Sequence, residues 1–324
     1  MIARRILLAS LGAALAACVA STAAAQSYPT KPIRMIVPFP PGGPIDTMGR
    51  MVANDLSQRL GQQVLVDNRP GAGSTLGTKL AAAAEPDGYT LLFGSSGSLA
   101  VAPALYQNLD VDPRKAFVPI AKVALLPHVL VVSNDLPVKT VKEFIAYAKA
   151  HPGQLNYGAG LGTPPHLLST LLTAKAGINA VYVPYKGSAA SVTDLLGGRV
   201  QFTIDGLVGL YPLIRDGKVR ALAIARGERW PALPDVPTLV ESGFPDFTID
   251  AWTGVAAPAG TPADIIAKLN AAINEGLKAP ESKATLAKFS AIADPGTPEQ
   301  FGAFLANEMP RWAALVKLAG AKAE

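Results

Sequence analysis

The 324-residue sequence predicts an α/β fold in which parallel sheets are connected by crossover helices. Short apolar runs alternate with helical patterns from about residue 28 onward. Hydrophobic residues make up 49% of the chain and charged residues 16%, which is typical of a compact globule. Because roughly three hundred residues exceed one typical domain, we expect two domains.

Each predicted strand is a short apolar run, and each predicted helix carries apolar residues at spacings that form one buried face. The predicted strands are Ile33–Val37, Val64–Asp67, Thr90–Gly94, Val129–Ser133, Leu155–Ala159, Ala180–Pro184, Phe202–Asp205, Ala221–Ala225 and Gly254–Ala257. The predicted helices are Ile45–Leu60, Ser74–Ala84, Val141–Ala150, Pro165–Gly177, Ala190–Gly197, Leu210–Asp216, Pro262–Leu277 and Pro298–Ala319. Two extended segments, Ala121–Ser133 and Phe247–Ala257, are predicted to cross between the domains and form a hinge, with the C-terminal helices returning to the first domain.

The segment IRMIVPFPPGGPIDTMGR, from Ile33 to Arg50, is the most informative part of the chain. Its apolar strand ends at a turn rich in proline and glycine, after which a helix begins. The unpaired N–H groups at the start of that helix, and the positive end of its dipole, suit an anion such as a carboxylate. No lysine or arginine lies between Ile36 and Met48, so such a site would use mainly backbone donors.

Six predicted strands are followed by turns of small polar residues and glycine. These turns are PFPPGGPID, NRPGAGSTLG, GSSGSLA, GAGLGTPPHL, YKGSAAS and DGLVG. In parallel sheets such turns meet at the carboxyl edge, where ligands bind, and glycine permits close approach of the backbone. Ordinary helix capping and turn formation explain the same residue types, so the pattern alone leaves both interpretations open.

Single residues allow the same two interpretations. Asp46 caps or complements its own helix, or it contacts a ligand. Asp205 ends an apolar strand and could accept a hydrogen bond from a ligand amine, hydroxyl or bridging water. His166 stands where a helix begins, so it is a capping or packing residue or a ligand contact. His128 and His151 are interpreted as structural.

The first 25 residues have the features of an export signal. A basic start precedes an apolar segment over residues 6–17, and three alanines at 23–25 offer a cleavage site. An uncleaved anchor is the alternative. The run Leu-Ala-Ala-Cys ending at Cys18 also resembles a lipobox, which would place a lipid on this cysteine. The sequence predicts a periplasmic protein, with lipoprotein anchoring as a second possibility.

Composition argues against several other functions. Loss of the two leader arginines changes the net charge from +5 to +3, and no basic run suggests nucleic-acid binding. Cys18 is the only cysteine and the three histidines are scattered, so neither a metal nor another cofactor is predicted. The chain lacks G-x-S-x-G, Walker and H-E-x-x-H motifs, so we predict a protein that is not an enzyme.

The sequence resembles the periplasmic solute-binding proteins of tripartite tricarboxylate transporters, the Bug or TctC-like receptors. The resemblance covers nearly the whole chain after the leader. It is carried by YPTKPIRMIVPFPPGGPIDTMGR, VDNRPGAGSTLGTKLAAAAEPDGYTLLFGSSG, LPVKTVKEFIAYAKAHPGQLNYGAGLGTPPHL, VPYKGSAASVTDLLGGRVQF, PLIRDGKVRALAIARGERWPALPDVPTLVESGFPDF and WTGVAAPAGTPADIIAKLNAAI. The sequence departs from the family pattern at Pro44, Ile45 and Gly49.

The resemblance implies a two-lobe periplasmic binding protein fold (type II, Venus flytrap), each lobe a mixed, mostly parallel sheet flanked by helices. It implies a signal peptide at 1–25, a first lobe at 26–127 plus 251–324, and a second lobe at 128–250. A small carboxylate would be held between the lobes by amides, hydroxyls and waters, and delivered to a two-component membrane permease. The implied binding residues are Phe39, Gly42, Gly43, Ser95, Ser96, Ser98, Gly162, Thr163, His166, Tyr185, Gly187, Ser188 and Asp205.

The nature of the acid is left open by the sequence, since backbone donors recognise any carboxylate. Di- and tricarboxylates, amino acids and aromatic acids all fit. A ligand carrier that docks on a sensor kinase ectodomain is an alternative partner assignment. An exported enzyme that uses His166 and Asp205 as acid and base is a further alternative.

Overall fold

The structure is a computed structural model that describes residues 28–106 and 109–322. The predicted signal peptide and Cys18 lie outside the described residues. The described strands are β1 (Ile33–Val37), β2 (Val64–Asn68), β3 (Thr90–Ser95), β4 (Phe117–Leu126), β5 (His128–Ser133), β6 (Leu155–Gly160), β7 (Ala180–Tyr185), β8 (Phe202–Gly206), β9 (Val219–Ile224), β10 (Ala251–Pro258) and β11 (Ile292–Ala293).

Helices pack on both sheets, and the last three helices follow the final long strand, β10. The described helices are α1 (Pro44–Leu60), α2 (Thr75–Ala82), α3 (Ala102–Leu105), α4 (Pro113–Ala116), α5 (Val141–Ala150), α6 (Pro164–Ala176), α7 (Ser188–Leu196), α8 (Leu207–Arg215), α9 (Ala263–Leu277), α10 (Pro280–Lys288) and α11 (Pro298–Leu318). A 3₁₀ turn (Ala72–Ser74) precedes α2, and a π-helical turn (Gly97–Val101) precedes α3. Within the described residues, no helix is both long enough and apolar enough to cross a bilayer.

Two mixed sheets form the two lobes. The first has the order β11-β4-β10-β3-β1-β2, and the second has the order β7-β6-β8-β5-β9. In the first sheet β10 runs antiparallel to β3 and β4, and β11 runs antiparallel to β4. In the second sheet β5 runs antiparallel to both of its neighbours. All the other strands of each sheet point the same way, so both sheets are mixed, as predicted, although antiparallel pairings slightly outnumber parallel ones.

The nine predicted strands and eight predicted helices are present, with ends shifted by at most three residues. Strand β4 was predicted only in part, as an extended crossing segment, and β11, α3, α4 and α10 were not predicted. Pro119 and Lys122 interrupt the apolar pattern of β4. The fold accommodates Lys122 because its ammonium lies 2.6 Å from Asp294 and 4.0 Å above the ring of Phe304.

The chain passes twice between the sheets. The first passage is at Pro127, between β4 and β5, and the second lies between β9 and β10. Helix α11 packs on β4 of the first sheet and also contacts α6, which lies on the second sheet. These positions support lobe boundaries at 127/128 and 250/251, and we propose that division of the chain.

Buried charged side chains lie beside the second passage. The Asp250 carboxylate is 3.6 Å from Arg226, which follows β9. On α11, Glu308 pairs with Arg311 at 2.5 Å. Burial raises the pKa of Asp250 to about 6; Arg226 and Lys122 oppose the shift, and the nearby acids Glu308 and Asp294 reinforce it. The ionised form of Asp250 is therefore costly at neutral pH.

We expect Asp250→Asn to stabilise the protein at pH 8 by about 3 kcal/mol, since folding lifts the carboxyl pKa from 3.8 to about 6. A carboxyl whose pKa is raised by folding stabilises the folded state when protonated. That contribution is fully present below about pH 4 and is lost as pH rises through 6. Urea unfolding at pH 4 and pH 8 tests this: the variant and the native protein should differ at pH 8 only. An equal difference at both pH values would contradict the assignment.

Candidate ligand-binding cleft

A cavity of about 430 Å³ lies between loops of the two lobes. The first lobe supplies the turn after β1, the loop before α2 and the π-helical turn with α3. The second lobe supplies the loop between β6 and α6. The lining residues are Pro38, Phe39, Pro40, Pro70, Gly71, Gly73, Ser74, Gly97, Val101, Ala102, Leu105, Tyr106, Leu161, Gly162, Thr163 and Pro164.

Of the residues implied by the family resemblance, Phe39, Gly162 and Thr163 line this cavity. Phe39 packs against the core of the first sheet, and its ring points towards Gly97. If Gly97 carried a side chain, its Cβ atom would lie 3.9 Å from Cζ of Phe39. The other implied residues lie outside the cavity wall, at the ends of neighbouring strands and the starts of neighbouring helices.

The start of α1 is the anion-binding element predicted from the sequence. Gly43 is its N-cap in extended conformation, and no described side chain caps the helix. A Cβ atom at Gly43 would lie 3.8 Å from the carbonyl oxygen of Pro40, which lines the cavity. The amide of Gly42 is already used, since it donates to the Asp46 carboxylate at 2.8 Å. Donors for a ligand at this turn therefore come from the amides of Gly43, Ile45 and Asp46, since Pro44 has no N–H group.

The buried Asp46 carboxylate holds the turn before α1 in place through several hydrogen bonds. The carboxylate also accepts hydrogen bonds from Arg50 at 3.0 Å and from the side-chain amide of Asn68 at 2.8 Å. Burial opposes ionisation, but these bonds and the one from Gly42 hold the pKa of Asp46 below its usual value. The Asn68 amide also donates to the Phe39 carbonyl at 3.1 Å. Of the two interpretations left open for Asp46, these contacts favour the one in which it complements its own helix.

The serine turn after β3 is closed by its own side chains. The amide of Ser95 donates to the hydroxyl of Ser98 at 2.9 Å, and the amide of Ser98 donates to the hydroxyl of Ser95 at 3.4 Å. Both serines and Ser96 are buried. The hydroxyls of Ser95 and Ser98 thus fix the shape of the turn, and Gly97 is the member of this turn that reaches the cavity wall.

The loop before α2 has an unusual backbone that the sequence did not reveal. Ala72 and Ser74 adopt positive φ angles of 45° and 77°, and Gly73 between them has a φ of 60°. A Cβ atom at Gly73 would lie 2.5 Å from the hydroxyl of Tyr106. Left-handed alanine and serine each cost about 1–2 kcal/mol, and such strain tends to occur at functional sites. The loop was among the six turns identified, but none of its residues was among the implied binding residues.

The second lobe closes the cavity with Leu161 to Pro164. Gly162 has a φ of 69°, and a Cβ atom there would lie 2.6 Å from Leu105 of the first lobe, so the two lobes meet closely at this glycine. The amide of Gly162 donates to His166 Nδ1 at 3.2 Å. The hydroxyl of Thr163 donates to the Gly160 carbonyl at 2.7 Å. Both donors are used within the loop.

His166 has surroundings that fit a packing role. Its ring is buried and stacks on Tyr182 at 4.0 Å, and burial lowers its pKa. His128 is buried at the start of β5, where burial lowers its pKa to about 4. His151 follows α5, with Nδ1 2.9 Å from the Tyr147 carbonyl.

Asp205 lies at the carboxyl end of β8. One carboxylate oxygen accepts hydrogen bonds from the Ser188 hydroxyl at 3.0 Å and from the Gly206 amide at 2.6 Å. Its other oxygen is buried and has no hydrogen-bond partner among the described residues. Burial raises the pKa of Asp205, against the effect of these two hydrogen bonds. The carboxylate thus joins the ends of two neighbouring elements and retains capacity to accept one more hydrogen bond.

The remaining residues implied by the family resemblance, Tyr185, Gly187 and Ser188, lie at the end of β7 and the start of α7. The Tyr185 hydroxyl donates to Asp194 at 2.7 Å. Gly187 is the N-cap of α7, which no described side chain caps, and Ser188 begins this helix. The structure therefore holds Ser188 and Asp205 together and brings Phe39, Gly162 and Thr163 to one cavity.

The cavity residues that were not predicted from the sequence are mainly apolar. They include Val101, Leu105, Tyr106 and Leu161. An apolar side chain carries no sequence signal for ligand contact.

Comparison with known proteins gives concordant results. Residues 48–321 match the family model described as tripartite tricarboxylate transporter family receptor. The chain is 42% identical over 322 residues to Protein BugT of Bordetella pertussis, covering 98% of each chain. The structure of the periplasmic binding protein BugD is 36% identical with a TM-score of 0.74, covering 92% of this chain and 100% of that one. An R. palustris protein solved with adipate is 35% identical with a TM-score of 0.78, covering 91% and 99%.

Proposed function

This chain belongs to the family of tripartite tricarboxylate transporter receptors, and on that basis we propose that it captures a small organic carboxylate between its lobes in the periplasm and delivers it to a two-component membrane permease. The proposal assigns the chain no catalytic role. Family members and structural neighbours are binding proteins.

The uncapped start of α1 beside the cavity is the observation that carries the proposal. A helix of 17 residues begins there with backbone N–H groups that no described side chain satisfies. Free amides and the positive end of the dipole at a helix start suit an anion such as a carboxylate. A relative of this fold at 35% identity was solved with the dicarboxylate adipate, which supports the assignment.

The alternative in which His166 and Asp205 act as an acid–base pair is tested by experiment. His166 Nδ1 accepts a hydrogen bond from the Gly162 amide, and one oxygen of Asp205 accepts from Ser188 and Gly206. Incubation with a bound acid, followed by mass spectrometry, should return the acid unchanged. Conversion of the acid would overturn the assignment as a binding protein.

Native mass spectrometry of freshly purified protein tests the proposal most directly. We expect an added mass that is lost on denaturation and that identifies a small organic acid. Isothermal titration with a panel of carboxylates should then give at least one binder of micromolar or better affinity. If no acid in a broad panel binds, the proposed function is wrong.

We expect Asp205→Ala to weaken binding of the acid by roughly tenfold and to broaden the range of acids bound. The change removes the carboxylate that ties Ser188 to Gly206 and frees the loop before α7, a loss of about 1–1.5 kcal/mol. Asp216→Ala is the matched control, since Asp216 pairs with Arg215 at the exposed end of α8. Identical ligand profiles for Asp205→Ala and the native protein would count against a role in binding.

A further inference from the structure

Resting on the proposed function, we propose that the carboxyl group of Asp250 takes up a proton when the lobes close on the ligand, so that the ligand binds more tightly in mildly acidic solution. Asp250 lies at the second passage of the chain between the lobes, outside the wall of the cavity. The connections between the lobes and the charges around Asp250 support this assignment.

The segment that carries Asp250 is held by a helix that contacts both lobes. Helix α11 packs on β4 of the first sheet and contacts α6 of the second lobe. Pro310 lies inside α11, where it removes one backbone hydrogen bond and favours a bend. The next residue, Arg311, donates to the carbonyl of Thr248 at 3.3 Å and to its hydroxyl at 2.9 Å. A rotation of one lobe against the other therefore acts on the segment that carries Asp250.

Charged groups from both lobes face the Asp250 carboxylate. Arg226 follows β9 of the second lobe and lies 3.6 Å away, with its guanidinium 5.3 Å from the centre of the Trp230 ring. The first lobe contributes Lys122 of β4, Asp294 beside β11 and Glu308 of α11.

The cations of the first lobe already have acidic partners. Lys122 lies 2.6 Å from Asp294, and Arg311 lies 2.5 Å from Glu308. Among the described residues, the guanidinium from the second lobe is therefore the cation left to pair with Asp250. Because this counter-ion comes from the second lobe and the repelling acids come from the first, the relative position of the lobes sets the charge of Asp250.

The pair of Asp250 and Arg226 is incomplete in this structure. Its 3.6 Å separation exceeds the length of a hydrogen bond, and both Arg226 Nε and Asp250 Oδ1 are buried without a hydrogen-bond partner among the described residues. Burial raises the pKa of Asp250 to about 6 here, where the lobes already meet between Leu105 and Gly162. Opening that lets water or Arg226 reach the free oxygen favours the ionised form, so closure takes up a proton.

The sign of the pH dependence follows from this uptake. A carboxyl that binds its proton more tightly in the closed protein strengthens ligand binding at low pH, and this gain is lost as the pH rises through about 6. We expect the ligand to bind about three- to tenfold more tightly at pH 5 than at pH 7.5 through this group. The buried His128, which begins the neighbouring strand β5, has a pKa of about 4 and stays neutral over this range.

Isothermal titration of Asp250→Asn with adipate and malate tests the inference. Titration of the acid itself and of Asp205 is common to the variant and the native protein. We therefore expect the native affinity to fall about three- to tenfold more than that of Asp250→Asn between pH 5 and pH 7.5. Asp246→Asn is the matched control, since Asp246 lies on the same segment but is exposed and pairs with Lys175 at 2.5 Å. This variant should keep the native pH dependence.

Equal pH dependence in Asp250→Asn and the native protein would overturn the inference and leave the proposed function intact, because binding itself would still be observed. If neither these two acids nor any other acid of the panel binds, both fail.

The number of protons exchanged on binding gives a second test. Titration at pH 6 in two buffers of different ionisation enthalpy measures this number. We expect the native protein to take up roughly half a proton more than Asp250→Asn, because the carboxyl is half protonated in the closed protein at this pH. Equal uptake by the two proteins, or larger uptake by the variant, would contradict a proton-linked closure.

Discussion

Replacement of Gly43 by valine should abolish ligand binding while the protein remains folded. Gly43 has φ −79° and ψ 171°, an extended conformation that valine adopts readily. A Cβ atom there meets nothing closer than the Pro40 carbonyl oxygen at 3.8 Å, so the added side chain has space. An N-cap side chain lies over the first free amides of its helix. The methyl groups of valine would therefore block the amide donors of α1, and valine has no acceptor that could take the place of the bound anion.

The expected loss in affinity is large. Each hydrogen bond to a charged group contributes about 1.5–3 kcal/mol, so two lost bonds cost roughly 3–6 kcal/mol, which is more than a hundredfold in Kd. Titration with the acid that binds the native protein measures this, and thermal unfolding shows whether the fold survives. Gly43→Ala is the graded control and should bind with intermediate affinity. Unchanged affinity in Gly43→Val would refute the role of this turn.

Replacement of Trp252 by alanine should destabilise the protein by about 3–5 kcal/mol, the range measured for large aromatic residues truncated in cores. Trp252 is fully buried in β10, the strand that follows the second passage between the lobes. Its ring packs edge-on against Phe301 and Phe304 of α11, at 5.7 Å in each case. Alanine would leave a cavity between the sheet and the C-terminal helix.

Trp252→Phe is the matched control. Phenylalanine retains an aromatic ring against α11 and removes an indole N–H that has no hydrogen-bond partner within the described part of the chain. We expect a loss of under about 1.5 kcal/mol. Urea unfolding of the two variants measures the free energy of unfolding. An m-value equal to that of the native protein shows that the loss comes from packing in the folded state and not from a change in the unfolded state. Losses of similar size in both variants would show that the volume of the ring is unimportant.

Most of the fold could be predicted from the sequence because its elements carry local signals. The apolar runs of β1 and β5 and the capping pattern of α11 (Thr297 with Gln300) identify their elements with no tertiary information. Strand β4 lacked such a signal, because Lys122 is polar in sequence but paired in the fold. Helix α10 was missed because few of its residues are buried, so its sequence has no strong apolar face.

The glycine-rich turns of the candidate site could also be predicted from the sequence, but the hydrogen-bond partners of their amides could not. The proline- and glycine-rich turn before α1 was identified from its residues, as was the Gly162 loop. That the Gly42 amide is taken by Asp46 and the Gly162 amide by His166 depends on side-chain positions in the folded chain. The apolar side chains of Leu105 and Leu161 look like any core leucine in the sequence.

By itself, the sequence determined the α/β class, the order of most elements and the glycine turns, because these depend on backbone preferences and hydrophobic period over a few neighbouring residues. The tertiary structure alone decided which turns meet at one cavity and which amides near that cavity stay free. It also decided that none of the described residues lining the cavity is charged. These properties arise from contacts between segments far apart in the chain, such as Leu105 with Gly162, and local sequence patterns do not encode them.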